Sequence, residues 1–77
     1  MKDFGLKKLY YSISEVSKLA GLEQYILRYW ETEFEALRPR KSKNGQRTYS
    51  RRDVEVALII RHLLYSHRYS IEGARSV

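Results

Sequence analysis

A chain of 77 residues with 15 Lys/Arg, 9 Asp/Glu, a net charge of +6 and no cysteine makes one small domain, held by packing without disulfides or thiolate-bound metal. Its 43% hydrophobic content supplies one core and leaves no room for a buried substrate cavity, which argues against an enzyme. No apolar run approaches the roughly 20 residues of a membrane span, and the N-terminal MKDFGLKKLYY holds no apolar stretch of signal-peptide length, so a cytoplasmic protein is expected.

Residues 1–10 lack clear periodicity and read as a lead-in tail with Lys7 and Lys8 in solvent; the folded domain is expected over residues 11–77. A first helix is predicted to start at Ser14 as N-cap. Ile13, Val16, Leu19 and Ala20 share one face at helical spacing. Gly21 ends the helix, since glycine adopts the left-handed C′ conformation without steric cost.

A second helix is predicted over about Glu23 to Glu35. Leu27, Trp30 and Phe34 form its inward stripe, with Leu22 and Ile26 beside them. At that spacing Trp30 and Phe34 read as core rather than as a base-stacking platform. Gln24, Tyr25, Arg28 and Thr32 take the opposite face. Arg28 also has Glu31 at i+3, an ion-pair spacing. Glu31, Glu33 and Glu35 crowd the helix end, which a polyanion would repel, so that end is expected to point away from one. Two helices joined at a glycine by two or three residues spell a helix-turn-helix, or an ordinary corner between helices.

The charge imbalance lies in one window. RPRKSKNGQRTYSRR, Arg38 to Arg52, holds seven Lys/Arg and no acid, while the rest has eight basic residues against nine acids. Pro39 disfavours helix there. Asn44-Gly45 signals a tight turn at positive φ, so Arg40–Ser42 and Arg47–Tyr49 are predicted to pair as two short strands leaning on the helices through Tyr49 and Leu37. A basic hairpin on an otherwise neutral domain is a local grip for something anionic.

Ser50, with Asp53 three residues on, predicts the cap of a third helix. Arg51 and Arg52 fall in its first turn, where the helix dipole disfavours cations and a nearby phosphate would compensate. Val54, Val56, Ala57, Leu58, Ile59, Ile60, Leu63 and Leu64 make it apolar over most of its circumference, so it is predicted to be the core helix, buried on more than one side. His62 and His67 are not at i, i+4 spacing and have no ligand partners, so no metal and no cofactor is expected. A fourth helix is predicted from Ser70 with Ile71 and Ala74 inward; two turns of new helix at the chain's end suggest a longer polypeptide.

This order of elements is a mainly α winged helix-turn-helix: short helices, a two-stranded β-wing and a long core helix. YSISEVSKLAGL, LRYWE, LRPRKSKNGQRTYS and YSIEGAR closely resemble the MerR family of bacterial transcription regulators from Tyr11 to Arg75, in a form like its short members. The resemblance implies a DNA-binding domain whose second helix enters the major groove and whose wing lies along the backbone. It implies a homodimer through a C-terminal helix absent here, action on RNA polymerase indirectly at the promoter, and a place in the bacterial cytoplasm, on the nucleoid when bound.

Residue by residue, Arg28 and Tyr29 match the family's contacting pair in the second helix, and Arg47 and Tyr49 its wing pair. Gln24 and Tyr25 fall in the turn where the family varies its base choice. The chain departs from the pattern at Glu23, in place of a small hydroxyl N-cap, and at Ile26, in place of a phosphate-contacting threonine.

Phosphate neutralisation would come from Arg28, Arg40, Lys41, Lys43, Arg47, Arg51 and Arg52. Four to six of these engaged give log K against log salt a slope of about −4 to −5. Backbone amides at Asn44 and Gly45 would add hydrogen bonds without sequence information. Glutamine suits adenine and arginine suits guanine, so Gln24, Tyr25 and Arg28 would carry specificity. Two other readings fit the residues: an excisionase-type architectural DNA binder, and a protein-binding module with an acidic partner.

Overall fold

The computed structural model describes residues 5–77; residues 1–4, the start of the expected lead-in tail, lie outside the described residues. The order is β1 (Tyr10–Ser12), α1 (Ile13–Ala20), α2 (Gln24–Glu33), β2 (Arg40–Lys41), β3 (Arg47–Ser50), α3 (Arg51–Arg61), a π-helical turn (His62–Ser66) and α4 (Ile71–Arg75). This is the winged helix-turn-helix expected from the sequence.

The first helix is capped two residues earlier than expected. Ser12 rather than Ser14 is its N-cap: the Ser12 hydroxyl accepts from the Glu15 amide at 3.1 Å, and Glu15 accepts from the Ser12 amide at 2.9 Å. That reciprocal pair satisfies two amides that would otherwise lack partners, which Ser14 cannot match. The Lys8 ammonium, bonded to Glu15, holds its carboxyl below the usual range. Gly21 closes α1 at φ +66° as expected. Leu19, placed by its spacing on the inner face, is instead 51% exposed.

The wing is not a free two-stranded ribbon. β3 is the middle strand of a three-stranded antiparallel sheet, paired with β2 on one side and β1 on the other. The end of the expected lead-in therefore forms an edge strand, and the Arg51 amide donates to Leu9 O at 3.1 Å. A two-stranded ribbon is marginal in water; the added strand anchors the wing's root. The Tyr11↔Tyr49 register puts two buried rings opposite each other.

The wing turn also differs from a two-residue hairpin. The Gly45 amide donates to Ser42 O at 2.9 Å and the Ser42 amide to Gln46 O at 2.7 Å, with Gly45 at φ +78° and Asn44 at negative φ. This is a three-residue loop closed by a left-handed glycine. Glycine is needed for that backbone angle, not for room, since a Cβ there would meet nothing within 4 Å.

The core is one cluster in which Leu27, Trp30, Phe34, Leu37, Tyr49, Val54 and Ala57 are buried. Trp30 and Phe34 meet edge to face at 6.4 Å, so both are core residues as expected. The third helix starts at Ser50 as read, with Asp53 completing its capping box. Its apolar circumference is covered unevenly: Val54, Ala57 and Ile60 are buried, whereas Ile59 is 42% exposed and opens into a groove of about 590 Å³ against α4. Ser70 caps α4, and Ala74 is buried.

Candidate nucleic-acid interface

Packing of Leu27 and Trp30 against the core turns the other side of α2 outward. Tyr25 is 66% exposed and Tyr29 53% exposed; Arg28 lies open between them, and Gln24 is half-buried at the first turn. An Arg28 amine lies 3.5 Å from Gln24 Oε1, a loose link across one turn. Glu23 is the N-cap but makes no side-chain cap bond. The four side chains that the sequence nominated on this helix thus share one accessible strip.

The i+3 pairing of Arg28 with Glu31 does not form. Glu31 faces the wing instead: Arg47 Nε lies 2.8 Å from both of its carboxylate oxygens, and the Tyr49 hydroxyl donates to Oε2 at 2.6 Å. Arg47 and Tyr49, two residues apart on β3, point to the same side of the strand, toward α2. Burial first, and then the bond to Glu31, push the Tyr49 hydroxyl far above its usual pKa, so it stays a proton donor.

Both members of the wing pair are thus tied to Glu31 within the chain. Tyr49 is 0% exposed and has no surface to offer a ligand, and the Arg47 charge is matched internally. The sequence carried a signal for Glu31 that was missed. It falls four residues after Leu27 and three before Phe34, on the edge of the apolar stripe, where a carboxylate needs a partner. Glu33 is likewise engaged, by Arg75 of α4. Two of the three acids at the end of α2 are therefore internal ties and not a solvent-facing repulsive patch.

A second tie sets the base of the wing. The buried Asp53 carboxylate accepts from the Ser50 amide at 3.0 Å, the Ser50 hydroxyl at 2.9 Å and the Arg38 amide at 3.3 Å. One side chain thus fixes where the chain enters β2 and where it leaves β3 for α3. Sequence reading gave Asp53 the cap alone.

The remaining cations are open. Among the described residues, no ion pair engages Arg28, Arg40, Lys41, Lys43 or Arg52. All five are exposed. Arg51 is exposed as well, with Nε reaching Lys8 O at 3.4 Å. Of the two wing-tip amides, Gly45 donates within the turn, so Asn44 is the one left to face outward. Lys41 stands directly opposite Arg47 across the strands; like charges so placed repel, and Glu31 beneath Arg47 offsets the repulsion.

The interface so built is an exposed helix strip carrying an arginine, a glutamine and two tyrosines, beside a sheet whose tip carries three lysines and arginines without acid partners. Such a surface is suited to bind a polyanion through its backbone and to present amide, guanidinium and phenol groups to what lies between the backbones. Among the described residues no group of three His, Cys, Asp or Glu side chains could hold a metal ion, and no helix is long and apolar enough to cross a membrane.

Comparison with known proteins adds one match. The model of the MerR HTH family regulatory protein matches residues 11–77. No curated protein matches the chain.

Proposed function

We propose, since this chain belongs to the MerR family of helix-turn-helix regulatory proteins, that α2 reads the major groove of double-stranded DNA while the wing grips the phosphate backbone. The family is one of DNA-binding transcription regulators. The observation that carries the finer reading is the separation of charge: the free cations lie on the wing and the exposed side of α2, while Glu31 and Glu33 are bound internally.

In this reading Arg40, Lys41 and Lys43 neutralise phosphates, assisted by Arg51 and Arg52 at the start of α3 and by the Asn44 amide. Gln24, Tyr25, Arg28 and Tyr29 meet the groove, with Gln24 and Arg28 offering bidentate contacts to adenine and guanine. Arg47, Tyr49 and Gly45 act indirectly, by holding the wing at a fixed angle to α2 and shaping its tip. The protein works in the bacterial cytoplasm, on the nucleoid when bound. It dimerises through a C-terminal helix beyond the described residues and reaches RNA polymerase through the promoter DNA.

The test is selection of bound sequences from a random duplex pool, followed by a salt titration on the enriched sequence and on a scrambled one. An enriched palindromic core with several-fold preference supports sequence-specific regulation. Salt-sensitive binding without enrichment would replace it with an architectural role of the excisionase type. No binding to any duplex at low salt would leave the basic wing to an acidic protein partner.

A further inference from the structure

The π-helical turn that follows α3 brings together two histidines that α-helical spacing would keep apart. His62 and His67 are five residues apart, and their Nε2 atoms lie 3.1 Å from each other. The π-helical register places residue i+5 over residue i, and the His67 amide donates to His62 O at 3.2 Å. The sequence expectation of no metal ligand here assumed α-helical geometry, which the turn does not keep.

We propose that His62 and His67 form a two-imidazole site for a divalent transition-metal cation, with water completing the coordination. The geometry fits the bite of such an ion. Two imidazole nitrogens each bound at 2.0–2.1 Å lie about 2.9 Å apart at a right angle and about 3.3 Å apart at the tetrahedral angle, and the observed separation falls between them. Both rings are exposed, so an ion reaches them without opening the core.

Two further features hold the rings in place. Arg68 follows at φ +58°, the only described non-glycine residue in the left-handed region. A residue of this kind carries strain of about 1 kcal/mol or more, and such strain gathers at ligand clamps and switches. The Tyr69 ring meets His67 edge on at 6.3 Å, and the Tyr69 amide donates to Leu63 O at 2.9 Å. The chain is thus bent back so that His67 returns over His62, and the bend is closed by backbone bonds on both sides.

The donor set selects the metal. Two neutral nitrogens and no thiolate suit the borderline divalent ions, with Cu²⁺ bound tightest and Ni²⁺ and Zn²⁺ more weakly. Soft monovalent copper finds no cysteine in this chain. A bound ion would staple the end of α3 to the segment leading into α4, which stabilises the folded state and raises its Tm with metal concentration.

The test is calorimetric titration of the 77-residue chain with Cu²⁺, Ni²⁺ and Zn²⁺, repeated on His62→Gln and His67→Gln. Nitrogen NMR of the imidazoles with Zn²⁺ reads which atoms bind. The expected result is one ion per chain in the order Cu²⁺ tightest, a loss of about tenfold or more in Cu²⁺ affinity in either variant because each removes the second tooth of a chelate, and Zn²⁺-induced shifts at both Nε2 atoms. Since both rings are exposed, circular dichroism of each variant should match the parent. Cu²⁺ affinity unchanged within about twofold in either variant, or Zn²⁺ shifts confined to one ring or to Nδ1, would overturn the site.

Discussion

The Tyr49 hydroxyl, buried in β3, donates a 2.6 Å hydrogen bond to the Glu31 carboxylate of α2, and the same carboxylate receives Arg47. One acid therefore couples the candidate reading helix to the middle strand of the wing. Tyr49→Phe keeps the ring in the core and removes the bond. It should cost about 1–3 kcal/mol, because a carboxylate beside the core loses a donor. For a chain of this size that lowers Tm by roughly 4–8 °C per kcal/mol, measurable by thermal denaturation.

The same bond gives a pH dependence at the alkaline end. In the unfolded chain Tyr49 ionises near its ordinary pKa of 10.0, whereas in the folded protein burial and Glu31 keep it protonated to well above that. Its stabilisation is complete below about pH 10 and is lost progressively as the pH rises further. Denaturant unfolding at pH 9 and pH 11 should show a loss that Tyr49→Phe reduces. An equal loss in the variant would assign the alkaline sensitivity to other groups.

Lys43→Ala and Arg47→Ala should weaken DNA binding in different ways. Lys43 is a free cation at the wing tip, so its removal should reduce the salt slope by about 0.9 with little change in Tm. Arg47 is already paired, so its removal should leave the slope nearly unchanged. It should still lower affinity for all sequences about equally, because Glu31 is then unmatched beside the phosphates. Binding isotherms at four or five salt concentrations separate the two. A full unit of slope lost in Arg47→Ala would return that residue to direct phosphate contact.

Gln24→Ala and Tyr25→Ala should change which sequences are preferred, with each good base contact contributing about 1–3 kcal/mol of discrimination. Sequence selection repeated on each variant measures this. Unchanged preference in both would move base reading to Arg28 and Tyr29.

Asp53→Ala should loosen both ends of the wing as well as the start of α3. The Ser50 hydroxyl still caps the helix, but the Ser50 and Arg38 amides both lose their acceptor, and a buried donor left without a partner costs about 1–3 kcal/mol. The variant should fall at or above the top of that range in denaturant unfolding. Asp53→Asn, which can still accept from these amides, should recover part of the loss.

The sequence made the helical frame legible because its signals are local. Gly21 after an apolar face, Ser50 with Asp53, and the Leu27–Trp30–Phe34 stripe each depend on residues within one or two turns. The misreadings have the opposite character. Ser12 and Ser14 are two residues apart, and only the reciprocal bond to Glu15 decides between them. β1 is three residues long and finds its partner about half the chain away. Glu31 looked like a neighbour of Arg28, but its partners come from the wing. The π-helical turn shares its apolar pattern with an α-helix, so the approach of His67 to His62 was not legible from spacing. The strip on α2 was visible from periodicity, whereas the division of cations into paired and free needed three dimensions.

Placing β3 between β1 and β2 has a consequence for the order in which the molecule assembles. The pair α1 and α2 is local and can dock early. The sheet instead brings together segments such as Lys8 and Arg51, 43 positions apart, and closing so long a loop carries an entropic cost that must be met before its contacts form. The wing is therefore expected to reach its final angle late in folding, after the helices have condensed. Changes in β1 would act chiefly on the unfolding rate.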